Sequence, residues 1–218
     1  MGDICQWYVN QNSRHAARRK VDAMRYSFFA LISRMKNITR WSLMRNSSIE
    51  NVQEHSHMVA VVAHALAVIR RDVFGHDADP GATAAAALFH DASEIFTGDL
   101  PTPIKYFDPD IMTAYKRVEV VASRKLLSSL PTEMRPAYEP LLAANSDSVT
   151  ASLLKAADKL AAYIKCLEEL KAGNSEFRLA AEQSRKKLAA LEMPEVEYFI
   201  ERFITAFELT LDELDFGI

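Results

Sequence analysis

A ten-residue stretch in the middle of the sequence combines one imidazole with three carboxylates. His90 and Asp91 are adjacent, Glu94 follows three residues later, and Asp99 ends the stretch. The preceding residues 83–89 are almost wholly apolar, so we expect a helix that carries the His-Asp pair into the interior. Buried carboxylates stay ionised only with compensating partners, and imidazole mixed with carboxylate is a common ligand set for a divalent cation. The stretch therefore predicts a metal site.

Length and composition predict the scaffold for such a site. The chain has 218 residues, 49% of them hydrophobic, which is enough for one sizeable core. It contains only 6 glycines, and β-branched alternation is hard to find. We expect an all-α, single-domain fold over residues 24–218. Residues 1–23 carry a basic cluster and are interpreted as a loosely ordered N-terminal extension.

Charge and cysteine content exclude several functional classes. A formal charge of −3 and a pI near 6.1 argue against a surface for nucleic-acid polymers, which normally has a basic excess. No apolar run reaches the roughly 18–20 residues that a membrane span needs. Cys5 and Cys166 are too few for a disulfide framework, which fits a reducing cytosol. We expect a cytoplasmic protein with small-molecule partners.

Helix signals follow one another along the chain. Asp79-Pro80 and Asp108-Pro109 each supply a capping side chain and a first-turn proline. Two capping boxes, Ser47-x-x-Glu50 and Asn51-x-x-Glu54, compete for the start of one long helix. Helices are predicted over residues 26–35, 52–74, 80–91, 111–130, 132–143, 148–171, 175–191 and 195–207, with a loop over 99–105 and a polar break at 145–147.

Two of the long helices carry further candidate ligands. His55, His57 and His64 lie on the buried-type helix 52–74, where a histidine is more often a hydrogen-bonded residue than a ligand. His55 and His57 point to different faces, so one ion cannot easily use both. Asp158 lies beside the apolar stripe of helix 148–171, where an acid is costly unless it is paired. Either a metal or salt bridges to neighbouring lysines would compensate it.

The ordered set of these residues resembles a known family. His55, the His90-Asp91 pair and Asp158 match the pattern of HD-domain metal-dependent phosphohydrolases, and longer motifs resemble the 5′-deoxynucleotidase subfamily, the YfbR-like proteins. The resemblance extends roughly from Met24 to Leu214. The motifs are residues 37–46 (NITRWSLMRN), 50–56 (ENVQEHS), 90–94 (HDASE), 97–103 (TGDLPTP) and 165–170 (KCLEEL).

The resemblance implies an activity and a set of roles. It implies hydrolysis of 2′-deoxyribonucleoside 5′-monophosphates to deoxynucleosides and phosphate, in a helical homodimer with one divalent metal ion in each buried site. The implied metal ligands are His55, His90, Asp91 and Asp158. Glu94 and Asp99 would be catalytic, and the implied substrate contacts come from Arg40, Trp41, His55, Asp91, Asp99, Leu100, Pro101, Thr102 and Asp158.

The residue types agree with this chemistry. Two imidazoles and two carboxylates suit Mn, Co, Fe, Ni or Zn better than Mg or Ca, which prefer oxygen alone. Glu94 lies three residues after Asp91 and could act as the acid/base group on the attacking water or the leaving oxygen. The Arg40 guanidinium matches phosphate oxygens, and Trp41 would pack against the sugar. Without the resemblance, Asp99 would be read as a loop-capping residue, and Trp41 as a satellite core contact.

Two other functions remain open at this point. One is an HD-domain hydrolase of another nucleotide, either cyclic or pyrophosphorylated. The other is a catalytically silent HD domain that binds a nucleotide as a sensor, although the intact ligand set and Glu94 argue against it. A panel of nucleotides with released phosphate as the readout separates all three hypotheses.

Overall fold

Helices dominate the fold. A computed structural model describes residues 26–105, 107–143 and 149–214. These residues form no strand, and their only bridge of the β type is an isolated antiparallel one between Thr39 and Asn51. The α-helices are α1 (Phe28–Ile32), α2 (Val52–Val68), α3 (Pro80–Leu88), α4 (Glu94–Thr97), α5 (Thr102–Lys105), α6 (Pro109–Ser128), α7 (Arg135–Leu142), α8 (Val149–Lys171), α9 (Arg178–Ala189) and α10 (Pro194–Phe203).

The long central helix starts at the second of the two competing capping boxes. Asn51 Oδ1 accepts hydrogen bonds from the backbone N–H groups of Gln53 and Glu54, and the Glu54 carboxylate accepts one from the Asn51 N–H. These bonds satisfy backbone donors that have no partner within the helix. The Ser47 box does not form, which leaves the Glu50 carboxylate available for other contacts. After Val68 the helix continues as one π-helical turn, Ile69–Val73.

The main core lies between α2, α3 and α8. Its buried side chains include Val59 and Leu66 of α2, Ala87 of α3, and Leu153 and Leu160 of α8. Alanines on α3 let that helix pack closely against α2, because a small side chain permits a short distance between helix axes. Each fully buried leucine contributes about 1.5–3 kcal/mol of transfer free energy. This packing fixes α2 against α8, the two helices that carry His55 and Asp158.

The His-Asp pair lies in a turn rather than in a helix. We expected helix α3 to continue through Asp91, but it ends at Leu88, residues 89–93 form turns, and α4 begins at Glu94. The predicted loop 99–105 is also shorter than expected, since α5 begins at Thr102. The N-terminal extension (residues 1–23) and the break at 145–147 lie outside the described residues.

Within the described segments, no helix is both long enough and apolar enough to cross a membrane.

Candidate metal and phosphate site

Three segments distant in sequence meet at one point. Helix α2 supplies His55, the turn after α3 supplies His90 and Asp91, and α8 supplies Asp158. One ligand atom each from His55, His90 and Asp158 lies within 4.8 Å of the other two. Such a spacing matches three groups around a single cation. The structure thus brings three of the four predicted ligands within reach of one ion; Asp91 is not in this set, although its Oδ2 lies near both imidazoles.

The imidazoles and carboxylates face one another directly. His55 Nε2 lies 3.0 Å from Asp158 Oδ1 and 3.8 Å from Asp91 Oδ2. His90 Nε2 lies 3.0 Å from Asp91 Oδ2, although the angle there makes no hydrogen bond. Both histidines therefore turn the same ring atom, Nε2, towards the two carboxylates.

Contacts on the far side of His90 prepare it as a ligand. Its Nδ1 donates to the Ala87 carbonyl at 2.7 Å, so in the neutral ring Nε2 carries the lone pair. The buried Nε2 has no hydrogen-bond partner among the described residues. A buried polar atom without a partner is costly, and a cation would compensate it. This orphaned nitrogen and the mixed nitrogen and oxygen set fit a divalent metal ion.

Electrostatics favour the ionised carboxylates. Burial opposes their charge, but the neighbouring imidazoles outweigh it and hold the pKa values of Asp91 and Asp158 below the usual range. Burial also opposes the charged form of His90, yet the Asp91 carboxylate raises the pKa of His90 to about 9. In the ion-free protein the surroundings of His90 thus favour a proton on Nε2, the same atom that would bind a metal ion, so the two compete for it.

Glu94 lies beside this cluster, and its surroundings have the opposite effect on its carboxyl pKa. It is buried at the first position of α4, and its Oε2 has no hydrogen-bond partner in the described part of the protein. Burial, together with the charges of Asp91 and Asp99, raises the pKa of Glu94 to about 9. Burial likewise raises the pKa of Asp99, which follows Gly98 at the edge of the site. The surroundings of Glu94 therefore favour its protonated form, whereas those of Asp91 favour the ionised form.

Arg40 adjoins the cluster through Asp91. Its Nε donates to Glu50 Oε2 at 3.1 Å, and its Nη1 lies 3.5 Å from Asp91 Oδ2. Burial disfavours the guanidinium charge, but Asp91 and Glu50 more than offset it and raise the pKa of Arg40. A permanent cation thus stands next to the candidate metal ligands, where an anionic ligand would need it.

Trp41 has an unusual backbone and a fixed ring. Its φ of +57° lies in the left-handed region, which a bulky residue rarely adopts. The indole N–H donates to Glu50 Oε2 at 2.9 Å, and the ring packs against Phe177, with centroids 5.4 Å apart. Strained residues of this kind persist where the surroundings over-determine them. The indole ring is therefore held in place, packed against the small cluster of Cys166, Phe177 and Ala181.

Helix α2 carries two further histidines besides His55. His57 and His64 are exposed on the outer face of α2, whereas His55 is buried. Asp158 pairs with His55. The substrate-binding roles of Leu100, Pro101 and Thr102 stay predictions: the first two are half-buried after Asp99, and Thr102 begins α5.

Sequence reasoning missed the role of Glu50. Apart from its place in the motif 50–56, we considered it only as part of a helix cap, whereas its carboxylate contacts Arg40 and Trp41. No local pattern signals these contacts, because they depend on the path of the connection between Ile38 and Val52.

Comparisons with known proteins agree with this geometry. Residues 27–207 match the family model described as 5′-deoxynucleotidase YfbR-like. A 5′-deoxynucleotidase of Vibrio parahaemolyticus is 50% identical over 188 residues, which cover 86% of this chain and 97% of that protein. A 5′-deoxynucleotidase of Photorhabdus laumondii is 48% identical over 192 residues, covering 88% and 98%. The resemblance inferred from the motifs is confirmed.

Solved structures share the fold. An HD-domain phosphohydrolase from Listeria innocua superimposes with a TM-score of 0.72 at 24% identity, over 83% of this chain and 88% of that one. The HD phosphohydrolase of cyanophage S-2L, solved with dA and one catalytic Zn²⁺ ion, has a TM-score of 0.55 at 21% identity, over 81% and 96%. The prediction of an all-α HD-domain fold is therefore confirmed.

Proposed function

The chain belongs to the 5′-deoxynucleotidase YfbR-like family, and from this premise we propose that it hydrolyses 2′-deoxyribonucleoside 5′-monophosphates to deoxynucleosides and phosphate. It is an enzyme of the phosphoric monoester hydrolase class. The observation that carries the proposal is the position of Arg40, a cation 3.5 Å from one carboxylate of a His-Asp cluster. That arrangement suits a phosphate bound between a guanidinium and a metal ion.

The four residues His55, His90, Asp91 and Asp158 would hold one divalent metal ion. Their nitrogen and oxygen donors favour Mn, Co, Fe, Ni or Zn over Mg or Ca. When bound, such an ion polarises the phosphoryl group and lowers the pKa of a coordinated water. The Nδ1 bond of His90 to the Ala87 carbonyl keeps the imidazole oriented for this role.

The other residues bind the substrate and move the proton. Arg40 holds the phosphate oxygens, and Asp99, Leu100, Pro101 and Thr102 line the nucleotide from the following loop. As the oxygen of water bonds to phosphorus, the bond from phosphorus to O5′ breaks. The protonated Glu94 carboxyl donates its proton to the leaving O5′, and the resulting carboxylate takes up the proton that the attacking water gives off. Its burial and raised pKa support this role.

Phosphate release from matched nucleotides tests the proposal. The purified chain is stripped with chelator, reloaded with Mn²⁺, Co²⁺, Zn²⁺ or Mg²⁺, and assayed with dAMP, AMP, cyclic AMP and dATP. We expect metal-dependent release from dAMP and much less from AMP. Preferential turnover of the cyclic or triphosphorylated nucleotide would refute the deoxynucleotidase assignment, and tight nucleotide binding without any turnover would indicate a sensor.

Assembly and location complete the proposal. A homodimer is supported by apolar side chains exposed along one face of α6, namely Ile111, Val118 and Val121, which recur at helical spacing. Light scattering after gel filtration should give twice the chain mass, and Val121→Asp should shift the measured mass to that of a monomer.

The cysteine content supports a cytoplasmic location.

A further inference from the structure

The side chain of Glu50 contacts three different residues of the site. Its Oε2 accepts hydrogen bonds from Arg40 Nε at 3.1 Å and from Trp41 Nε1 at 2.9 Å. Its Oε1 lies 3.8 Å from His55 Nδ1, the ring nitrogen turned away from Asp158. That distance is too long for a hydrogen bond, and this buried Nδ1 has no hydrogen-bond partner among the described residues, so the Glu50 carboxylate is the charge that faces it. Only 14% of the Glu50 side chain is exposed, so solvent weakens these contacts little.

The backbone on both sides of Glu50 is fixed. The Arg40 N–H donates to the Glu50 carbonyl at 3.0 Å, and the Val52 N–H donates to the Ile38 carbonyl at 2.9 Å. These bonds flank the antiparallel bridge between Thr39 and Asn51. Helix α2 does not need Glu50 as a cap, because Asn51 and Glu54 already cap it. The position of the carboxylate is therefore better explained by its three contacts than by helix capping.

Each contact fixes a property of its partner. A charge-assisted bond at Nε sets the plane of the Arg40 guanidinium and counters the pull of Asp91 on Nη1. The hydrogen bond to the indole N–H fixes the side chain of Trp41, whose backbone has the strained positive φ. A carboxylate facing His55 Nδ1 favours a proton on that nitrogen, which leaves the Nε2 lone pair towards Asp158.

We propose that Glu50 is a positioning residue whose one carboxylate couples three side chains: Arg40, which binds the phosphate, Trp41, which packs against the sugar, and His55, a metal ligand. The inference rests on the function proposed above and deepens it. Selectivity for the deoxy sugar and affinity for the metal ion then depend on the same side chain, although Glu50 itself touches neither ligand.

Glu50→Gln tests this coupling, because it keeps the size of the side chain and removes its charge. Three quantities are measured: kcat and KM for dAMP and AMP, the dissociation constant of Mn²⁺ from chelator-treated protein by calorimetry, and the melting temperature. We expect Mn²⁺ affinity and kcat/KM for dAMP each to fall about 10- to 100-fold, the usual effect of losing a partner behind a metal ligand. We also expect the preference for dAMP over AMP to narrow.

Glu54→Gln is the matched control. Glu54 is exposed on the same helix turn, and glutamine still completes the capping box, so all three quantities should stay at wild-type values. A Glu50→Gln protein with a lower melting temperature but wild-type Mn²⁺ affinity and dAMP preference would overturn the inference, because Glu50 would then be only structural. If Glu50→Gln does not fold, Glu50→Asp replaces it, and wild-type values there count equally against the inference.

The design separates this inference from the proposed function. A wild-type protein that releases phosphate from no nucleotide refutes the proposed function. The Mn²⁺ titration of Glu50→Gln would still decide whether Glu50 acts on His55.

Discussion

Two carboxyl groups only three positions apart have surroundings that favour opposite protonation states. Asp91 stays ionised because the imidazoles of His90 and His55, together with Arg40, outweigh its burial. Glu94 is buried next to negative charges, so its pKa is raised to about 9. In the proposed mechanism, this difference in environment separates the metal ligand Asp91 from the acid/base group Glu94.

Glu94→Gln should lose turnover but keep both ligands. The amide preserves the size of the side chain and cannot exchange the proton, so we expect kcat to fall about 10²- to 10⁴-fold. Mn²⁺ affinity and the KM for dAMP should stay at wild-type values. The check is steady-state kinetics alongside a calorimetric Mn²⁺ titration, with the exposed Glu182→Gln of α9 as the control. A loss confined to KM would remove Glu94 from the chemistry.

Trp41 and Arg40 should affect substrate choice differently. In the proposed function the indole, held by Phe177, packs against the sugar and leaves an extra 2′-hydroxyl no room and no partner. On that basis Trp41→Ala should narrow the kcat/KM gap between dAMP and AMP. Arg40→Ala should lower both values equally, by about 1.5–3 kcal/mol, because both substrates carry the same phosphate. Kinetics on this pair decide the point, and an unchanged ratio in Trp41→Ala would move selectivity to the Asp99 loop.

At the scale of elements, helix α8 holds the connection that carries Arg40 and Trp41. Glu169, 1% exposed, accepts from the N–H groups of Ser47 at 2.7 Å and Ser48 at 3.1 Å. Lys165, one turn earlier, bonds to Glu169 and to the Ser48 carbonyl. Burial raises the pKa of Glu169, but these hydrogen bonds outweigh it and lower the pKa far below its usual value.

Glu169→Gln should therefore destabilise the protein in a pH-dependent way. At pH 7 we expect a loss of roughly 1.5–3 kcal/mol in the free energy of unfolding, the scale of a charged hydrogen bond. Because the pKa of Glu169 is lower in the folded state, its charge stabilises the folded protein at pH values above the unfolded-state pKa of 4.5. That stabilisation is lost as the pH falls towards the folded-state pKa. Below pH 4.5, the difference in unfolding free energy between wild type and variant should thus narrow by about 1.4 kcal/mol per pH unit.

Urea denaturation at pH 7 and at about pH 3.5 measures this gap, the lower pH lying well under the ordinary glutamate pKa. The control is Glu168→Gln: Glu168 is the neighbouring, more exposed glutamate, and its pKa is raised by partial desolvation, in contrast to the lowered pKa of Glu169. That variant should show no such narrowing. A constant gap for Glu169→Gln would mean that its charge contributes nothing and that only packing was lost.

At the scale of the whole molecule, the metal ion would act as a crosslink between distant parts of the chain. His55, His90 and Asp158 come from α2, the turn after α3, and α8, which also enclose the main core. An ion that binds the folded chain and not the unfolded one stabilises the fold by mass action.

Metal ions should therefore raise the melting temperature. At one hundred times the dissociation constant, Mn²⁺ should add about 2.7 kcal/mol, or roughly 5–11 °C for a domain of this size. Asp158→Ala should abolish both this shift and activity, because it removes the ligand supplied by α8. Asp72→Ala, at an exposed ion pair with Arg71, should keep the full shift. Stoichiometric Mn²⁺ and normal turnover in Asp158→Ala would contradict the four-ligand site.

The sequence by itself determined the fold class, the helices that build the core and the likeness to the family. Apolar periodicity, proline and aspartate caps and the His-Asp pair are local signals, since each depends on residues within a few turns of one another. The order of His55, His90, Asp91 and Asp158 along the chain was enough to predict one site from three segments.

Only the tertiary structure decided the second layer of contacts. Glu50 and Glu169 could each have been exposed helix residues, because nothing in their local sequence distinguishes them from Glu54 or Glu168. Their partners are brought to them by the path of residues 38–52 and by the packing of α2 against α8. A buried carboxylate takes its role from the donors that long-range packing places around it, and local spacing does not encode those donors.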